Sequence, residues 1–196
     1  PHFTASFEAL IEDFSAGVDF LGTKPYVDRE RIGVLGICGS GSFGLAAAET
    51  DPRIKAVATV SMYDIGQAHR QGLAEKVDSA ALKNNLAEIA KQRWAEVDGA
   101  ARTMVIGTPQ VITDDSSAID REFYDYYRTP RGQHARSSTA FWRTSGAQMM
   151  LFSSFEHLDW MSPRPVLFIT GEKAHSRLFS EQAYAQASEP KELFIV

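Results

Sequence analysis

The sequence predicts an α/β fold, a mostly parallel sheet flanked by helices and interrupted by a helical insertion. Three observations predict it. Arg31–Ala48, RIGVLGICGSGSFGLAAA, reads as a buried strand over Ile32–Leu35, a turn of small residues, and a helix entered through Phe43 and Leu45. The apolar, β-branched run Ile54–Met62 follows, and strand, helix, strand at this spacing is a right-handed βαβ unit. The next clear core strand, Val166–Thr170, comes about 100 residues later, whereas a parallel crossover needs only about a dozen.

The elements follow in order. Phe7, Leu10, Ile11, Phe14, Val18 and Leu21 recur at helical spacing, so Ser6–Leu21 predicts an amphipathic helix stopped by Gly22. Pro25–Arg31 is a polar connector. The helix after Cys38 runs to Thr50 and ends at Asp51-Pro52. Ile54–Met62 alternates poorly, as a buried parallel strand does. The insertion opens with a helix started by Asp78 or Ser79 and ended by Gly99, with Leu82, Leu86, Ile89, Arg93 and Val97 as one stripe and Trp94 beside it. Thr103–Gly107 and Gln110–Thr113 predict a short hairpin. Asp120–Arg128 carries Phe123, Tyr124, Tyr126 and Tyr127, and Thr139–Phe155 predicts a second apolar helical region. Ser180–Ala187 is a further helix and Glu192–Val196 starts another strand. The expected division is a core of residues 1–62 with 163–196, and an insertion of 63–162.

Cys38, the only cysteine, crowns the turn. Gly36-Ile37-Cys38-Gly39-Ser40 is the strand-to-helix pattern Gly-x-nucleophile-x-Gly, with Cys as nucleophile and Ser in place of the last Gly. A nucleophile raised on so sharp a turn sits in strained backbone, and the residues two before and two after it must be small. Gly36 and Ser40 meet that need, while Gly39 and Gly41 relax the turn further. The helix N-terminus favours thiolate over thiol, and the Gly39 N–H is placed to donate to an oxyanion. Three other readings compete. Cys38 could be an apolar filler. The turn could cradle a phosphate, with Gly39, Gly41 and Gly44 as its glycines. Ser40 could be the nucleophile, which shifts the strand exit by two residues.

Arg31–Ala48, with Asp51–Val57 after it, resembles the α/β-hydrolase fold, and within it the dienelactone-hydrolase-like branch, whose members use Cys or Ser at this turn. Pro163–Lys173 resembles the penultimate strand of that fold, and with Glu12–Gly22 and Glu192–Val196 the likeness covers about half of the chain. The resemblance implies the chain order nucleophile, acid, histidine. It implies a lid formed by the insertion, with Tyr124–Tyr127 and Trp142 lining an acyl pocket or packing as the lid's own core. It places the histidine after the last strand, beyond Val196, and the second oxyanion donor on early strands that this chain lacks. The family's Gly-x-x-Asp reads Gly171-Glu172-Lys173-Ala174 here, so Glu172 is the nearest carboxylate, and Asp64 is the alternative acid. Of the histidines present (His2, His69, His134, His157 and His175), His175 lies just past the penultimate strand.

Composition narrows the class. The chain has 196 residues, 44% apolar and 23% charged, enough for a sizeable core. A net charge of −5 without a basic run argues against nucleic acid or an anionic membrane as partner. One cysteine excludes an internal disulfide and a cysteine-based zinc site, and no His/Asp/Glu set has ligand spacing, so neither cofactor nor metal is expected. With no signal peptide and no apolar run of about 18 residues, the expectation is a cytoplasmic protein without a membrane span. Its first residue, Pro1, and its apolar last residues suggest an excised chain. The expected partner is a small acyl substrate, and a homo-oligomer stays open. The leading expectation is therefore a hydrolase of carboxylic esters, lactones or related acyl compounds. The alternatives are an acyltransferase on the same scaffold and a non-catalytic binding domain that keeps the fold.

Overall fold

Ser6 starts the first helix: its hydroxyl accepts from the Ala9 amide at 3.3 Å, the work of an N-cap, and α1 runs over Phe7–Gly22. The computed structural model describes residues 3–73 and 78–196, so His2 lies outside the described residues. Contacts divide the chain into two units, Ser6–Leu82 with Gln148–Val196, and Lys83–Ala147 with residues 3–5.

The first unit holds β1 (Gly33–Ile37), α2 (Gly39–Thr50), β2 (Ala56–Val60) and α3 (Ile65–Gln71). After the insertion it adds β5 (Val166–Thr170), α7 (Arg177–Gln186) and β6 (Lys191–Ile195). Its four strands form one sheet in the order β1-β2-β5-β6, every pair parallel. Residues paired across the sheet share a face. Val34, Val57, Val166 and Phe168 lie on the helix side, where a Cβ on Gly44 of α2 would come within 2.9 Å of Val34 and where Phe168 meets Tyr184 of α7 edge to face. α2 is therefore buried from Gly41 to Ala48, which explains why it carries apolar residues all round. Asp51 ends it. The Arg53 guanidinium grips that carboxyl and holds it down at about 2.

The other face is different. Leu35 and Ile37 are 59% and 57% exposed, and Phe194 is 53% exposed. A groove of about 550 Å³ runs across it, lined by Leu35, Ala58, Pro165, Leu167 and Glu192 among others. β2 accordingly alternates, with Val57 and Thr59 buried and its neighbours half-buried, instead of being buried on both faces as its sequence suggests.

Residues 63–73, 78–82 and 148–162, part of the stretch read from sequence as the insertion, group by contacts with the sheet. The reason is polar: Arg70 of α3 donates to the Met150 and Phe152 carbonyls at 2.6 and 2.9 Å, and the single turn Leu158–Met161 packs on α2 and α7.

The second unit holds most of α4 (Ser79–Val97), then β3 (Met104–Ile106), α5 (Ala118–Tyr127), β4 (Ala140–Trp142) and the start of α6 (Gly146–Met149). Asp78 starts α4 by accepting from the Ala81 amide. Of the expected stripe on α4, Ile89 alone is buried, while Leu86 and Val97 are exposed. The expected hairpin is replaced: β3 pairs antiparallel with β4, and Gln110–Thr113 is not a strand. Arg128 decides this, because its guanidinium donates to the Pro109 carbonyl and to the hydroxyls of Thr108 and Thr139, holding the Gln110 approach as a loop. Thr139 itself has φ 53°, and the β-prone Phe141-Trp142 follows, so the helix expected over Thr139–Phe155 shrinks to a 3-10 turn over Arg143–Ser145 that runs into the four residues of α6. Among the described residues, no helix is long and apolar enough to cross a membrane.

Candidate active site

Cys38 joins β1 to α2 with φ 57° and ψ −128°, a region that a non-glycine residue rarely occupies. Such strain costs roughly 1–3 kcal/mol and persists only where the surroundings over-determine it. They do. The Cys38 amide donates to the Val60 carbonyl at 3.0 Å, and its own carbonyl accepts from Gly41 at 3.0 Å and Tyr63 at 3.3 Å. A Cβ on Gly36 would stand 2.6 Å from the Gly41 Cα, and one on Gly41 would stand 2.5 Å from the Met62 Cβ. The tight position is thus Gly41, three residues past Cys38. Ser40, expected to be constrained, is exposed.

The thiol is half-buried, and burial pushes it up, while the neighbouring Gly39 amide pulls it back. This reverses the direction expected from the helix N-terminus. The resting group is a thiol, and a base must take its proton.

The loop after β2 closes against the turn. Ser42 of α2 donates to the Tyr63 carbonyl, shares a hydrogen bond with Ser154 at 3.1 Å, and accepts from the Ile65 amide at 3.0 Å. Tyr63 reaches the other way: its phenol is hydrogen-bonded to His175 Nε2, and its ring lies 5.6 Å from that of Phe179. Asp64 is 4% exposed, accepts from the Gln67 amide at 2.8 Å as the cap of α3, and is pushed up by burial. Glu172 is exposed one residue after Gly171, with its amide on the Val196 carbonyl at 2.9 Å. Arg177 goes to Glu181 and to the carbonyl of Glu172, leaving the Glu172 carboxylate to solvent.

All these groups crown the carboxyl ends of parallel strands, where open α/β sheets hold ligands. Cys38 ends β1, Tyr63 and Asp64 follow β2, and Glu172 and His175 follow β5. With β2 between them, the strands bearing Cys38 and Glu172 run about 10 Å apart. The structure brings Cys38, Gly39, Tyr63 and His175 into one bonded cluster, with Glu172 on the same rim. His69 lies on α3, His134 in the second unit, and His157 stacks on Trp160 at 4.0 Å. Sequence reasoning singled out His175 but passed over Tyr63 and Ser42. The one available signal was their position, just past a strand and just inside a helix.

Residues 10–122, more than half of the chain, match the family described as BAAT / Acyl-CoA thioester hydrolase C terminal. The chain belongs to this family. Among relatives, the uncharacterised protein PA2218 of Pseudomonas aeruginosa is 40% identical over 205 residues, covering 100% of this chain and 53% of its own length. Its crystal structure matches with a TM-score of 0.94 over 62% of that chain. The α/β hydrolase GrgF from Penicillium sp. sh18, 18% identical, matches with a TM-score of 0.71 over 100% of this chain and 65% of that one, and shows that this chain has the α/β-hydrolase fold. Thiohydrolase apmlB of Arthrinium phaeospermum is 49% identical over 49 residues, 25% of this chain and 16% of its own length. The chain spans about half the length of PA2218. The matched family does not single out a dienelactone-hydrolase-like branch.

Proposed function

We propose that this chain carries the nucleophile of a cysteine-dependent acyl hydrolase acting on carboxylic esters, lactones and, preferentially, thioesters. The observation that carries this is Cys38 held at φ 57° and ψ −128° on the strand-to-helix turn between β1 and α2, directly before the first amide of the helix. Membership of an acyl-CoA thioester hydrolase family, and the name thiohydrolase borne by one relative, support the thioester preference.

The geometry supports these steps. A base removes the thiol proton, and the thiolate attacks the carbonyl carbon. The Gly39 N–H, at the start of α2, donates to the new oxyanion. The intermediate collapses, expels the substrate's thiol or alcohol with the proton, and leaves an acyl thioester on Cys38. Water then attacks that carbonyl, the carboxylic acid departs, and the thiol is restored. Glu172 is the proposed carboxylate that orients the base, because Asp64 is occupied in capping α3. The thioester preference follows from leaving groups. Burial raises the Cys38 thiol, so an ordinary substrate thiolate leaves at least as readily as Cys38 and the intermediate runs forward. An alkoxide leaves far less readily than the Cys38 thiolate, so alkyl esters return to substrate.

In the intact protein, Cys38→Ala should lower turnover of a short acyl thioester by about 10³-fold or more and abolish iodoacetamide labelling. Unchanged turnover would remove the proposal. For one acyl group, kcat/KM should favour the thioester over the ethyl ester, and Cys38→Ser should erase that preference.

A further inference from the structure

We infer that His175, acting through Tyr63, is a positioning residue for the nucleophile turn. The inference rests on the reading of Cys38 as nucleophile but concerns different residues.

Two strained residues meet beside the turn. Cys38 has φ 57°, and Ser61, at the end of the neighbouring strand β2, has φ 45°. Neither is glycine, and strain of this kind survives only under constraint from several sides. The segment between Ser61 and Asp64 is the natural carrier of that constraint. Met62 is fully buried with its Cβ against Gly41. The Tyr63 amide donates to the Cys38 carbonyl, and the Tyr63 carbonyl accepts from Ser42. The backbone of Tyr63 is therefore clamped to both sides of the nucleophile.

Its side chain supplies the third hold. The ring is 5% exposed, and its hydroxyl meets His175 Nε2, 112 residues further along the chain. His175 stands on the loop after β5, and Ser61 is itself joined to β5 through the Ile169 carbonyl at 2.8 Å. The Tyr63–His175 hydrogen bond thus closes a ring of contacts running β1, β2, β5, with α2 beneath. It fixes the segment that sets the Cys38 backbone, and through it the direction in which the sulfur points beside the first amide of α2. Loosening Tyr63 would let the turn relax toward ordinary φ and swing the sulfur away from that helix end, whose dipole favours the thiolate.

The test uses Tyr63→Phe, His175→Ala and His175→Gln in the intact protein. Three quantities are read: kcat and KM on a short acyl thioester, the pH profile of Cys38 alkylation by iodoacetamide, and the melting temperature. Tyr63→Phe and His175→Ala should each lower kcat about tenfold with KM little changed, and should move the alkylation midpoint to higher pH. His175→Gln, which keeps a hydrogen-bonding group within reach, should recover most of both. An alkylation profile that stays at the wild-type midpoint in Tyr63→Phe and His175→Ala would overturn the inference. So would a loss of activity that follows melting temperature alone, or a His175→Gln variant no better than His175→Ala. Failure of the nucleophile reading itself would show separately, as labelling and turnover that survive Cys38→Ala.

Discussion

At the scale of single residues, the two glycines after Cys38 differ in a way the sequence hides. A methyl group on Gly41 would meet the Met62 Cβ, which is fixed to the backbone, at 2.5 Å. One on Gly39 would meet only the far end of the Ile65 side chain, at 3.0 Å. Gly41→Ala should therefore cost about 1–3 kcal/mol of stability and displace Met62–Tyr63 from Cys38. Gly39→Ala should fold with nearly the wild-type melting temperature. Thermal melts of the two variants check this, and equal losses would refute it. The turn was legible because its demand for small residues is written within six positions, in Gly36, Gly39, Ser40 and Gly41. The Tyr63–His175 contact was not, because a hydrogen bond across 112 residues leaves no local pattern. The direction of the thiol shift was missed for a related reason: burial is a property of the packed molecule, and here it outweighs the one amide donor.

At the scale of elements, α2 carries a liability at its far end. Burial, with Asp159 and Glu156 nearby, raises the Glu49 carboxyl to about 8 from an ordinary 4.5, and one of its oxygens is buried without a hydrogen-bond partner. The folded chain holds this proton more tightly than the unfolded chain. Below pH 4.5 both states are protonated and the group is neutral in the balance. Between 4.5 and about 8 the unfolded chain alone ionises, so its contribution lowers stability as pH rises through that window and levels off above it. Glu49→Gln keeps an acceptor for the His157 amide and removes the ionisation. Its melting temperature should exceed wild type by about 3 °C at pH 8, with the gap closing near pH 4. A gap that persists at pH 4 would point to packing instead of charge. Elements defined by their own residues, such as α1 and β5, could be read from spacing. The β3–β4 pair could not, since its partner strand is fixed by Arg128 gathering Thr108, Pro109 and Thr139 from distant positions.

At the scale of the whole molecule, the parallel order of the sheet follows from its βαβ spacing, but the inequality of its faces does not. Alternation in β2 is muted because Ala56, Ala58 and Val60 are apolar on the open side too. Leu35→Thr with Phe194→Thr should leave the unfolding free energy of this chain within about 0.5 kcal/mol of wild type while lowering the fluorescence of a bound apolar dye. A large drop in stability would mean that these side chains are already well packed. The exposed face also has a practical meaning for anyone producing residues 1–196 on their own. An apolar sheet surface is what holdase chaperones and mild detergents cling to. Soluble yield in a foreign host should therefore respond to chaperone co-expression or detergent more than to a slower rate of synthesis.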